Sequence, residues 1–239
     1  MAASSTPPSQ VWVEGCGQAV LGGCFNPVHL GHLRLALALH EVLHKLIGTI
    51  TFLPSAHPPH KPEEHMLPFP LRAELVRSAI APYPWLACST MEAERDTPSY
   101  TWDTLGLLQK RLAPDQKLFF ILGIEDYAQL PTWHNGLHLP ERATLLVISR
   151  EHYHTGKFAE LTKAMWPSAS CASPATSDGL RMQVGSASVL FQPVPLVPIS
   201  SSLIRERWLA GRPIDEYVPA AVSAALEENR QTVLKHWSS

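Results

Sequence analysis

The 239-residue sequence predicts an α/β fold built on a parallel sheet. Three observations carry this. A strand, a helix and a second strand follow one another within roughly forty residues, Gln18–Gly22, Leu30–Leu46 and Thr49–Leu53, which makes a right-handed crossover unit. Further strand-like apolar runs, Lys117–Leu122, Ala143–Ser149 and Val189–Val194, recur between stretches of helical spacing. A glycine pair, Gly22-Gly23, sits where the first strand would turn into its helix.

The elements follow in order. Met1–Gln10 is rich in Ala, Ser and Pro without a basic patch or apolar core, so it reads as a flexible tail rather than a secretory signal, and residues 1–15 are set outside the folded part. The helix after the glycines keeps Arg34, Glu41 and Lys45 on one face and is expected to end near Gly48. Pro54–Pro62 holds four prolines and reads as a stiff loop at the carboxyl end of a strand. Leu71, Leu75, Val76, Ala79 and Ile80 give an amphipathic helix over Pro70–Ala81, opened by proline. Trp85–Met91 is strand-like, and Glu92–Asp96 is short and charged. Leu105, Leu108 and Leu112 mark a helix after Pro98-Ser99-Tyr100-Thr101, with Ser99 or Thr101 as its cap. Lys157–Trp166 reads as a short helix. Ser168–Ser188 is Ser/Ala/Gly-rich and is expected to be an extended, mobile insertion in an otherwise single domain over residues 16–239. The run Ile199–Arg205 begins a helix that ends at Gly211, and a last helix runs from Pro219 to about Asn229; no internal repeat is evident.

Composition narrows the function classes. The formal net charge is −2 and the isoelectric point near 6.6, so no basic excess points to nucleic acid. No apolar run reaches membrane-spanning length. Cys16, Cys24, Cys88 and Cys171 form no Cys-x-x-Cys pair, which argues against a zinc knuckle or disulfide framework and fits a reducing cytoplasm.

The most informative stretch is Gly22-Gly23-Cys24-Phe25-Asn26-Pro27-Val28-His29-Leu30-Gly31-His32. Glycines let an anion approach the backbone, and the helix start supplies free N–H groups and partial positive charge. His29 and His32 are three apart and can point the same way, and Gly31 is expected to leave room for a phosphate chain. Taken alone, Gly-Gly is an ordinary turn and His-x-x-His an ordinary surface pair; the full order after a strand favours phosphate handling. Lys61 is a phosphate candidate or a solvated lysine. Gly123-Ile124-Glu125-Asp126 after a strand suits a ribose or a helix cap. Trp133 beside Pro131 is a plug or a stacking platform. Ser200, Ser201 and Ser202 are caps or phosphate donors, with Arg205 one turn in.

Together these motifs resemble the bacterial nicotinate-nucleotide adenylyltransferases. The resemblance rests on Gly22–His32, Pro58-Pro59-His60-Lys61, Pro98-Ser99-Tyr100-Thr101, Gly123 through Pro131-Thr132-Trp133, Ile199–Arg205 and Val218-Pro219, in that family's order. It covers Ala19 to Leu226 apart from Ser168–Ser188. The first motif and the serine motif mark the wider nucleotidyltransferase superfamily; Pro-Ser-Tyr-Thr and Pro-Thr-Trp point to this branch. The resemblance implies a Rossmann-like sheet with helices on both faces and adenylyl transfer from ATP, with Mg²⁺, to nicotinate mononucleotide in NAD synthesis. It implies His29, His32 and Arg205 as catalytic residues. ATP would meet Gly22, Gly23, Cys24, Phe25, His29, His32, Gly123, Glu125, Ile199, Ser200, Ser201 and Arg205. The mononucleotide would meet His60, Lys61, Tyr100, Thr101 and Trp133. No dedicated metal ligand is implied, and a homo-oligomer is compatible with the sequence.

There are departures from the family pattern. Cys24 stands where Ser or Thr is usual, Asn26 where Asp is commoner, and Glu125 where Asp is expected with Asp126 beside it. The open alternatives are a related adenylyltransferase using nicotinamide mononucleotide or another phosphate acceptor, a non-catalytic nucleotide-binding module, and a metal protein using His29, His32, His57 and His60.

Overall fold

The structure is a computed structural model that describes residues 17–59, 65–149, 155–172, 179–195 and 197–238. In chain order the strands are β1 (Gly17–Gly23), β2 (Ile47–Pro54), β3 (Leu86–Cys88), β4 (Lys117–Gly123), β5 (Thr144–Ser149), β6 (Ser170–Cys171), β7 (Leu180–Val184) and β8 (Ala187–Pro193). The helices are α1 (Leu30–Leu43), α2 (Phe69–Ile80), α3 (Thr101–Arg111), α4 (Ile124–Ala128), α5 (Thr155–Met165), α6 (Ser201–Leu209), α7 (Ala220–Glu228) and α8 (Arg230–Trp237). Short 3-10 turns cover Met91–Glu94, Leu130–Thr132 and Gly136–Glu141.

Among the described residues the strands form one sheet in the order β3-β2-β1-β4-β5-β8-β7-β6. The pairs from β3 to β8 are parallel, and β8-β7 and β7-β6 are antiparallel. Both sheet faces are covered. Ala19 and Leu21 of β1, with Phe119 and Ile121 of β4, face a core shared with α1, α2, α6, α7 and α8. Val20 of β1, with Leu118, Phe120 and Leu122 of β4, face a second core shared with α3, α4 and α5. That two-sided burial is why the parallel strands read as unbroken apolar runs rather than as alternation.

Several local expectations change. α1 ends at Leu43, and Gly48 lies inside β2 instead of closing the helix, because the pairing of β1 with β2 already starts at Ile47. β3 is only Leu86–Cys88, and the chain then folds into a 3-10 turn at Met91. The Ser168–Ser188 stretch carries strand: β6, β7 and the start of β8 build an antiparallel edge, with Leu180 and Met182 buried in the second core. Residues 173–178 lie outside the described residues. The last helix is followed by another, α8, whose Val233 and Trp237 reach the first core.

Candidate functional site

β1 pairs with β2 on one side and β4 on the other, so the crossovers leave it in opposite directions and open a crevice at the carboxyl ends of β1 and β4. A cavity of ≈ 700 Å³ occupies that crevice. Its floor is Gly22, Gly23 and Cys24 from β1 and the following loop, and Leu122 and Gly123 from β4. His32 of α1 lines it from one sheet face; Tyr100, Thr101 and Trp133 line it from the other.

The loop from Cys24 to His29 is held from many directions. Phe25 sits in the left-handed region at φ 46, an unfavourable place for a bulky residue. Its ring is buried, 5.0 Å from that of His32 and 5.5 Å from that of Phe52, and this packing over-determines the backbone. The Asn26–Pro27 peptide is cis. Asn26 donates through Nδ2 to the His65 carbonyl at 2.7 Å. Its Oδ1 accepts from the Leu67 N–H at 3.1 Å and the Trp237 indole N–H at 3.3 Å. A carboxylate in its place would lack the donor, so asparagine here is a connector and not merely a turn former.

Two arginines finish the clamp. Arg72, 1% exposed, donates to the Cys24 carbonyl at 2.7 Å and to the Leu67 carbonyl at 2.9 Å. Burial pulls its pKa down, and the nearby Glu92 carboxylate opposes this. Arg205 donates to the Asn26 carbonyl at 2.9 Å and the Ser202 hydroxyl at 3.1 Å, and burial lowers its pKa too. Ser201 donates to the Pro27 carbonyl at 2.9 Å, while the Ser200 hydroxyl caps α6 by accepting from the Leu203 N–H. Cβ of Ile199 would lie 3.7 Å from a Cβ at Gly31, so the start of α6 docks on the start of α1.

The paired histidines differ. His29 is the N-cap residue of α1, and its backbone N–H donates to Nδ1 of His32 at 3.2 Å. That bond makes Nδ1 the acceptor, so the proton of the neutral His32 ring is on Nε2. The two rings stack at 3.7 Å. His29 is buried, and burial lowers its pKa to about 4, leaving the ring neutral near pH 7. Its Nδ1 has no hydrogen-bond partner. A side chain at Gly31 would strike His29 Nδ1 at 2.9 Å, so this glycine makes room for the histidine ring rather than directly for a phosphate chain.

The opposite wall is built on α3. Tyr100 occupies the N-cap position without a capping side chain. Ser99 is engaged elsewhere: its hydroxyl accepts from the His57 N–H at 3.0 Å and its N–H donates to the His57 carbonyl at 2.8 Å. The expected cap by Ser99 or Thr101 is therefore absent, because Ser99 staples the proline-rich loop and leaves the first turn of α3 without a side-chain cap. Behind it, Thr104 donates to buried Glu92 at 2.9 Å and accepts from Arg95 at 2.8 Å. Glu92 also accepts from the Ala56 N–H at 3.3 Å. Half-buried Trp133 packs on the second core, and Tyr100 lies 4.5 Å from the ring of His134. A side chain at Gly136 would collide with the Leu130 carbonyl and the Trp133 Cβ, so a glycine is needed where the chain turns behind Trp133.

Gly22, Gly23, Cys24, His32, Tyr100, Thr101, Gly123, Glu125 and Trp133 thus line one cavity. Phe25, His29, Ile199, Ser200, Ser201 and Arg205 stand behind or beside its loop and shape it through contacts. His60 and Lys61 lie outside the described residues. Glu125 and Asp126 both line the cavity. Sequence reasoning missed Arg72, Glu92, Thr104 and His134. The Glu-x-x-Arg spacing of Glu92 and Arg95, ahead of a helix with Thr104 one turn inside, was the available signal.

A cytidylyltransferase-like family model matches residues 20–207. A probable nicotinate-nucleotide adenylyltransferase of Maridesulfovibrio salexigens is 33% identical over 219 residues, covering 91% of this chain and 98% of that protein. The similarly named Thermus thermophilus protein is 36% identical, over 88% and 96%. Among solved structures, Plasmodium falciparum nicotinic acid mononucleotide adenylyltransferase complexed with NaAD has a TM-score of 0.66 at 16% identity, covering 90% of this chain and 97% of that one, a likeness of fold.

Proposed function

Because this chain belongs to the nicotinate-nucleotide adenylyltransferase family, we propose that it transfers the adenylyl group of ATP to nicotinate mononucleotide, forming nicotinate adenine dinucleotide and pyrophosphate for NAD synthesis. The observation that carries this is the cavity at the switch point of the sheet. It combines a glycine loop and a histidine donor on one face with an aromatic platform beside an uncapped helix start on the other.

The reaction needs no protein nucleophile. An oxygen of the mononucleotide phosphate attacks the α-phosphorus of ATP; that P–O bond forms as the bond to the β-phosphate oxygen breaks, and pyrophosphate leaves. The enzyme's contribution is positioning and stabilisation of charge. His32 is assigned the phosphate donor role through Nε2, with its tautomer set by the His29 N–H. His29, neutral and buried, orients that ring. Arg205 and Ser201 act by fixing the Asn26 and Pro27 carbonyls, which shapes the loop that the triphosphate meets. Cys24 would contribute through its backbone.

Trp133 is assigned to stack on the pyridine ring, and the first turn of α3 to offer N–H groups to its carboxylate. Glu125 or Asp126 is assigned to the ribose of ATP. Among the described residues no three His, Cys, Asp or Glu side chains converge as a metal site. Mg²⁺ is assigned to the substrate, arriving on the phosphates of ATP.

The test is pyrophosphate release from ATP with nicotinate mononucleotide and with nicotinamide mononucleotide in parallel. The expected result is a higher kcat/KM for the nicotinate form. Preference for the amide, or release with neither, overturns the reading.

A further inference from the structure

A second cavity, of ≈ 340 Å³, opens on the outer side of α3, away from the substrate cavity. Its walls include Arg95, Trp102, Lys110 and Arg142, with Asp103 as the one carboxylate among its lining residues. Three cations against one acid leave an excess of two positive charges. Among the described residues none of the three cations is in ion-pair contact with a carboxylate.

The two guanidinium groups are poorly satisfied. Arg142 lies 4.2 Å over the Trp102 ring, so its face is occupied and its edge is what remains for hydrogen bonding. That edge makes one long bond, 3.4 Å to the Gln109 side chain. Arg95 spends one donor on Thr104 at 2.8 Å. Nε of both arginines is buried without a hydrogen-bond partner. A guanidinium carries five donors, and buried donors left unmatched are unusual enough to need a reason.

We infer that this cavity is a second anion site, which takes a small molecule bearing a phosphoryl group between Arg95, Lys110 and Arg142. The charge excess matches a phosphate dianion, and the forked edge of arginine matches phosphoryl oxygens. The volume exceeds a bare phosphate and leaves space for a compact organic body beside Trp102. The site is one hydrogen-bond chain from the substrate cavity: Arg95 lines the first, and Thr104 and Glu92, to which it is linked, line the second.

The experiment follows the Nε–Hε signals of Arg95 and Arg142 by ¹⁵N–¹H NMR, assigned with Arg95→Lys and Arg142→Lys. Inorganic phosphate and ribose 5-phosphate are titrated at constant ionic strength against a chloride control. Both signals are expected to move together and to saturate at roughly millimolar concentration. Tighter binding of ribose 5-phosphate identifies an organic phosphate as the occupant, and equal binding identifies the free ion. Lys110→Gln, at an exposed position, should weaken saturation at least threefold, while His32→Ala should leave it unchanged. Shifts that never saturate, that chloride reproduces, or that His32→Ala removes and Lys110→Gln does not, overturn the proposal.

Discussion

The two walls of the substrate cavity are held in different ways. The wall from Cys24 to His32 is fixed by side chains from distant segments: Arg72 from α2, Ser201 and Arg205 from α6, and Trp237 from α8 all bond its backbone or Asn26. The wall of Tyr100, Thr101 and Trp133 rests on a helix start without a capping side chain, a 3-10 turn and ring contacts. The first arrangement suits charge. Stabilising phosphate oxygens depends on donors held in place before the reaction. The second suits a flat ring, for which stacking tolerates small displacements.

Removing a fixed donor should do the most damage. His32→Ala is expected to lower kcat roughly a hundredfold with a smaller change in the KM for ATP. Steady-state kinetics under chemistry-limited conditions check this, and a variant keeping more than about a third of wild-type kcat denies His32 the donor role.

Next is the pH dependence of the fixed wall. The folded pKa of His29, about 4, lies below the ordinary 6.5, so between these values the unfolded chain binds more protons than the folded one. Stability is therefore fully present above pH 6.5 and falls as the pH drops towards 4. From pH 7.5 to 5 the His29 contribution should decline by about 2 kcal/mol. Urea unfolding at both pH values, for wild type and His29→Gln, should show wild type losing that much more than the variant. Equal losses would mean that His29 is not kept neutral by burial.

A smaller effect is expected at Arg205. Lysine cannot reach both the Asn26 carbonyl and the Ser202 hydroxyl with a planar fork. Arg205→Lys should raise the KM for ATP roughly tenfold and leave that for the mononucleotide within about twofold. Equal losses for both substrates would make it a general structural arginine and erase the contrast between the walls.

The smallest effect tests the adaptable wall. Trp133→Ala should raise the KM of nicotinate and nicotinamide mononucleotides by a similar factor, roughly fivefold. Stacking does not distinguish acid from amide, so the ratio of their kcat/KM values should survive. A collapse of that ratio would place discrimination on the ring and not on the helix start.

How much was legible follows from the range of the interactions involved. The glycine loop, α1 and the parallel strands are local patterns of period and turn chemistry, and they stand in the sequence. The β6–β7 edge is not legible, because the two residues of β6 become strand only by pairing with β7, and β7 by pairing with β8. Nor is α8 visible past Asn229, which joins it to α7 and resembles a stop. At the site, the residues next to β1 announce themselves. Arg72 and Glu92 do not: their partners at Cys24 and Ala56 are 48 and 36 positions away. A charged residue on an amphipathic stretch looks solvated until the fold surrounds it. The role of Gly31 was misread for the same reason, since the His29 ring folds back over it.

The hydrogen bond from the Trp237 indole to Asn26 spans 211 positions. Synthesis runs from one end of the chain to the other, so during translation the glycine loop emerges from the ribosome long before the tryptophan that braces it. β1, α1 and β2 can dock early, yet the loop between them waits for α8 to leave the exit tunnel before its last bond closes. A nascent chain therefore carries this loop without the indole bond until residue 237 has left the tunnel. A ribosome stalled with residues 230–238 still in the tunnel should display a folded sheet whose loop hydrogens exchange with solvent faster than those of the released protein.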